Sequence, residues 1–185
     1  MNQIPFDPGP LAEVHGSDQA PWTLVFVRDL HHPPAKVWSA LTDPAQLTQW
    51  APYTADRNLG GVGEATLSTV DSDQPVDVPA MISHAEEPIL LEYTWGEEAL
   101  RWELAPIDVG TRLTLRHTVT GQDWMPKVAA GWHLCLVVAD TVLAGNPMPP
   151  IRGMDAMNYG WADLNEAYAK QLSIPVTPFP EDFTG

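Results

Sequence analysis

Of the 185 residues only Cys135 is a cysteine, and only nine are lysine or arginine, against twenty-four aspartates and glutamates. A single cysteine excludes an intrachain disulfide and the thiolate clusters of structural zinc sites. Nothing then calls for an oxidising compartment, and a cytoplasmic address is the expectation. The formal charge of −15 repels phosphate backbones and anionic membrane surfaces, so nucleic acid is not an expected partner. Membrane insertion is not expected either. The most apolar run, Val128 to Ala144, is interrupted by His133 and Asp140 and is short for a bilayer span, which makes it a buried helix. The first twenty residues lack the basic start and continuous apolar stretch of an export signal.

Catalytic and cofactor signatures are equally scarce. The six histidines form no His-x-x-x-His or Glu-x-x-His pair, so no metal site is expected. Gly60-Gly61-Val62-Gly63 lacks the third spaced glycine of a dinucleotide fingerprint and the Lys-Ser/Thr of a phosphate loop, and reads as a turn. No Gly-x-Ser-x-Gly elbow exists, and Cys135 sits in an apolar helix where a thiol is inert packing. No cofactor is expected.

What is present fits one α+β domain. Gly9 to Val14 and Trp22 to Leu30 read as two strands joined by the polar turn His15 to Gln19. Pro33 and Pro34 stop the second and open a helix with Val37, Trp38 and Leu41 on one face. Asp43, Pro44 and Gln46 form a capping-box pattern for a second short helix carrying Leu47 and Trp50. From Thr54 to Val119 the texture is period-two alternation broken by turns: Ala55 to Leu59, Gly63 to Val70, Val78 to Glu86, then a hairpin with Leu91, Tyr93 and Trp95 facing Leu100, Trp102 and Leu104. Leu113, Leu115, His117 and Val119 share one face of the last strand. About six consecutive strands form an antiparallel meander. Lys127 to Leu143 is a helix apolar nearly all round, with His133 and Asp140 on one narrow stripe that meets water or the last helix. That last helix is expected from about Asp155 to Leu172, with Met157, Trp161, Leu164, Tyr168 and Leu172 aligned. Residues 1–21 are an extension with a short strand, 22–172 the domain and 173–185 a Pro-rich tail.

The wording and order of Pro34-x-x-Val37-Trp38-x-Ala40-Leu41-Thr42-Asp43-Pro44-x-x-Leu47-x-x-Trp50, Gly60-Gly61, Glu92-Tyr93-Thr94-Trp95, Trp102-Glu103-Leu104, Gly110-Thr111-Arg112-Leu113-Thr114-Leu115 and Ala130-Gly131-Trp132 resemble the bacterial relatives of the heat-shock-protein-90 ATPase activator. These belong to the START and birch-pollen-allergen (SRPBCC) superfamily, and the resemblance runs from Trp22 to Leu172. It implies the helix-grip fold: a curved antiparallel sheet of six or seven strands around a long helix near the C-terminus, with two short helices after the first long strand and, here, an extra last helix. It also implies an apolar cavity between sheet and helix that takes lipids, polyketides or other aromatic molecules. The shared motif is structural and brings no catalytic residues with it.

On this frame Trp38 and Trp50 fasten the short helices to the sheet, since burying an indole is worth several kcal/mol at ~25 cal/mol per Å². Met81, Tyr93, Trp95, Trp102, Leu115, His117 and Trp132 are the expected ligand-binding wall. The favoured function is binding of a small hydrophobic molecule. The alternative is an enzyme, such as a cyclase, aromatase or hydrolase, with His117 or His84 in acid–base service; His117 shares the parity of Leu113 and Leu115, and His84 that of Ile82. A cochaperone role, suggested by the family name, would call for a further N-terminal domain that the residues before Trp22 are too few to form.

Overall fold

A computed structural model describes residues 6–70 and 74–178. Eight strands form one antiparallel sheet: β1 Glu13–Gly16, β2 Trp22–Leu30, β3 Tyr53–Ala55, β4 Gly63–Thr69, β5 Val76–Glu86, β6 Leu90–Trp95, β7 Glu98–Ile107 and β8 Gly110–Val119. Their spatial order is β1-β2-β8-β7-β6-β5-β4-β3. The six strands β3 to β8 are therefore the expected meander, and β2 closes back on β8, with Leu24 opposite His117 and Phe26 opposite Leu115. Helices α1 Pro34–Thr42 and α2 Pro44–Trp50 follow β2, α3 Trp124–Leu143 lies against the sheet, and α4 Trp161–Leu172 packs on α3. This is the helix-grip arrangement, with one strand more than expected.

The apolar parity of the strands decides which face is inside. Leu91 and Tyr93 on β6, Leu100, Trp102 and Leu104 on β7, and Leu113, Leu115 and His117 on β8 are all buried, while their alternate neighbours are not. α3 has the length and mean hydropathy of a membrane-crossing helix, yet sheet and α4 cover most of it. Trp38 and Trp50 are buried as expected. Trp50 donates from Nε1 to the Ala40 carbonyl at 3.0 Å, which locks α2 onto α1.

Several sequence expectations change. The first strand begins at Glu13, not Gly9, because Pro10 has no N–H to give a ladder and the Pro8 carbonyl and Ala12 N–H are taken by side chains: His133 Nε2 meets Pro8 O at 2.7 Å and Tyr168 Oη accepts from Ala12 at 2.9 Å. β3 stops at Ala55 because Asp56 turns its carboxylate onto the Thr66 N–H at 2.9 Å; Leu59 leaves the sheet to give its N–H to Thr42 O and bury its side chain. Only half of the capping box forms. Asp43 Oδ1 accepts from Ala45 N–H at 2.9 Å, but the Asp43 N–H already serves Ser39 O, leaving Gln46 nothing to cap. The last helix is two pieces: a 3-10 turn over Gly153–Tyr159, then α4, separated by Gly160 at φ 86°. The left-handed φ ends the first piece, and it swings Met157 out of the Trp161-Leu164-Tyr168 stripe to the surface.

Candidate functional site

The middle of the grip is filled. Trp102 is fully buried and meets Trp132 of α3 edge to face, 5.2 Å between centroids at 89°. Trp50 approaches Trp102 in the same way at 6.4 Å, a packing geometry that the ring quadrupoles favour. Tyr53 and Tyr93 join their hydroxyls, and Trp102 Nε1 donates to Tyr93 Oη at 3.1 Å. Burial pushes the Tyr93 phenol up to about 12 and raises Tyr53 likewise. Tyr93, Trp102 and Leu115, expected as ligand wall, are therefore core.

Open space lies at one end of the grip instead. A cleft of about 290 Å³ sits between the β6–β7 hairpin, the end of β8, one side of α3 and the returning segment around residues 151–161. Trp95, His117 and Trp132 line it, together with Trp124, Gly131 and Trp161. Gly131 leaves room on α3: beyond its chain neighbours and the local helix backbone, no atom lies within 4 Å of where its Cβ would stand.

Two expected residues are on the other side of the sheet. Met81 alternates with the buried Ala80 and Ile82, so it points outward and is 44% exposed. His84 should have shared the inward parity of Ile82, but a bulge intervenes: Ile82 faces Tyr93 and His84 faces Glu92, with Ser83 as the extra residue. One inserted residue reverses the parity of everything after it. His84 is exposed, 3.6 Å from Glu86, and has no access to the cleft.

His117 is held on both sides. Trp132 Nε1 donates to its Nδ1 at 2.9 Å, and its Nε2 lies 2.7 Å from Glu98 Oε2. An indole can only donate, so Nδ1 must accept and the ring hydrogen sits on Nε2, pointing at the carboxylate. Neither nitrogen is left for a ligand. The second oxygen of Glu98 makes no bond to a described residue, and the carboxylate sits at the rim of the cleft. Cys135 also borders the cleft, with burial pushing its thiol up to about 12, so it remains protonated and is a poor nucleophile. Arg152 closes one side, its Nε and Nη2 bound to the Ala51 and Thr48 carbonyls at the end of α2, at 2.9 and 2.7 Å. Such geometry can enclose, stack on and hydrogen-bond a small molecule. Among the described residues no group of three His, Cys, Asp or Glu side chains is placed to hold a metal ion.

His133 and Asp140 part company despite their shared stripe. His133 is buried between Tyr168 Oη, 2.6 Å from Nδ1, and Pro8 O, whereas Asp140 accepts from His32 Nε2 at 2.7 Å near the surface. Trp124, Glu98, Gly131 and Trp161 were missed as site residues. Alternation gives Glu98 no signal and helical spacing puts Trp161 on a packing stripe; only the return of the 151–161 segment over α3 brings them to one place.

Comparison with known proteins agrees with this architecture. The family described as Activator of Hsp90 ATPase homolog 1-like protein matches residues 31–140, more than half of the chain. No curated protein matches the sequence. Among solved structures, CalU16 from Micromonospora echinospora is 21% identical at a TM-score of 0.63, covering 86% of this chain and 96% of that one. A conserved protein of unknown function, EF2215 from Enterococcus faecalis, is 17% identical at 0.64, covering 88% and 90%. A Rhodobacter sphaeroides protein is 20% identical at 0.59, covering 72% and 99%. At these identities the likeness is one of fold.

Proposed function

The chain belongs to the Activator of Hsp90 ATPase homolog 1-like family, and on that premise we propose that it binds a small hydrophobic molecule, a lipid, polyketide or other aromatic, in the cleft at the open end of the grip. The observation that carries this reading is the wall itself: Trp95, Trp124, Trp132 and Trp161 around about 290 Å³. Ligand sites commonly span roughly 300 to 1,000 Å³, so the cleft suits a compact ring system better than a long acyl chain. Binding is a matter of shape and indole stacking, with Glu98 as the polar group that orients the guest.

Four indoles at the site make tryptophan emission a direct reporter. Titration with flavonoids and aromatic polyketides is expected to quench it and to raise the unfolding temperature, since ligand at a hundred times its Kd adds about 2.7 kcal/mol to stability. Fatty acids should do so less. A folded sample that responds to no compound in a broad panel by either readout overturns the reading.

A further inference from the structure

Resting on that reading, we propose that the preferred guest of the cleft is a hydrophobic organic cation, an aromatic amine or quaternary ammonium, with its rings among the indoles and its charge against Glu98. Four of the chain's eight tryptophans converge on this one cleft, and indole presents the best side-chain face for a cation. Glu98 is the only acidic side chain among the described lining residues. Its Oε2 is fixed by His117, which Trp132 in turn holds in the donating tautomer, so the carboxylate is aimed and its second oxygen is open.

A guest without a donor would strip water from that carboxylate and return nothing, a hydroxyl would return one hydrogen bond, and a cation would offset the loss most fully. Among the described residues two cations stand at the cleft, each held by other groups. Arg152 serves the α2 carbonyls, and Lys127, whose Nζ lies 5.5 Å from the Trp124 ring centroid, is bound by Asp123 O and the Thr177 hydroxyl. The formal charge of −15 adds a field of the same sense.

The test uses three compounds of one size: 1-naphthylmethylamine, 1-naphthalenemethanol and 1-naphthoate, titrated calorimetrically into the full chain at neutral pH. The amine is expected to bind about tenfold tighter than the alcohol, and the carboxylate more weakly than either. Added salt should weaken the amine alone. In Glu98→Gln, whose amide oxygen can still accept from His117 and whose folding is checked by circular dichroism, the amine-to-alcohol ratio should fall to about one. A ratio near one in the unaltered protein, or one that survives Glu98→Gln, overturns the charge preference and leaves small-molecule binding standing. Absence of binding by all three overturns the charge preference, and silence across the broader panel as well overturns both.

Discussion

Trp132 Nε1 and His117 Nδ1 stand 2.9 Å apart, a bond that ties α3 to β8 and sets the tautomer of the imidazole. Both partners are buried. Trp132→Phe keeps a ring but removes the N–H, leaving a buried acceptor without a donor. It should cost about 1–3 kcal/mol of stability, plus whatever the smaller ring loses in packing, in a denaturant titration. Nitrogen NMR of the unaltered protein should find the hydrogen of His117 on Nε2. A hydrogen on Nδ1 would refute the arrangement.

His133 makes stability depend on acid. Burial holds it down to about 4, against 6.5 for a free histidine, and the nearby Arg28 guanidinium pushes the same way. Tyr168 donates to Nδ1 while Nε2 donates to Pro8 O, so the ring is neutral in the fold. Between those two values the unfolded chain takes up a proton that the native one refuses, and stability must fall as pH drops through the window. The loss approaches about 3 kcal/mol at its lower end. Unfolding free energy measured across that window in the unaltered protein and in His133→Gln should show the shallower slope in the variant. Equal slopes would place the titration elsewhere.

Gly131→Ala separates stability from binding. A glycine inside a helix costs roughly 0.5–1 kcal/mol relative to alanine, and beyond its chain neighbours and the local helix backbone the added methyl group would meet no atom within 4 Å because it enters the cleft. The variant should therefore unfold at a higher temperature and bind cleft ligands more weakly. Unchanged binding would mean the guest lies elsewhere.

Gly110 is the opposite case. Its φ is 148°, and a Cβ there would stand 2.1 Å from Leu30 O, a backbone atom that cannot step aside. Gly110→Ala should lose about 3 kcal/mol or more in a denaturant titration, because the β7–β8 turn is pressed against the exit of β2. A loss below about 1 kcal/mol would show that the turn has slack.

Alternation and helical spacing carried most of the fold. β2, α1 and α2 fall where Val25 to Val27, the proline pair and Asp43-Pro44 place them, and the inward parity of Leu100, Trp102 and Leu115 holds to the residue. These signals are legible because each is local: a strand must bury one face and a cap must precede a helix, whatever lies beyond. His84 marks where locality ends. A single bulge at Ser83 sends it outward, and the sequence of β5 alone has no mark of it.

By itself, then, the sequence determined most of the strands and helices, which of their faces are apolar, and that Trp38 and Trp50 would be packed inside. Where the interior is full and where it is open was decided only when the chain folded back on itself. Trp50, Trp102 and Trp132 arrive from α2, β7 and α3 to fill the middle, while Glu98, Gly131 and Trp161, far apart along the chain, bound the cleft at its end. A void is the volume that packed side chains leave over, a property of their three-dimensional sum that no periodicity along the chain records.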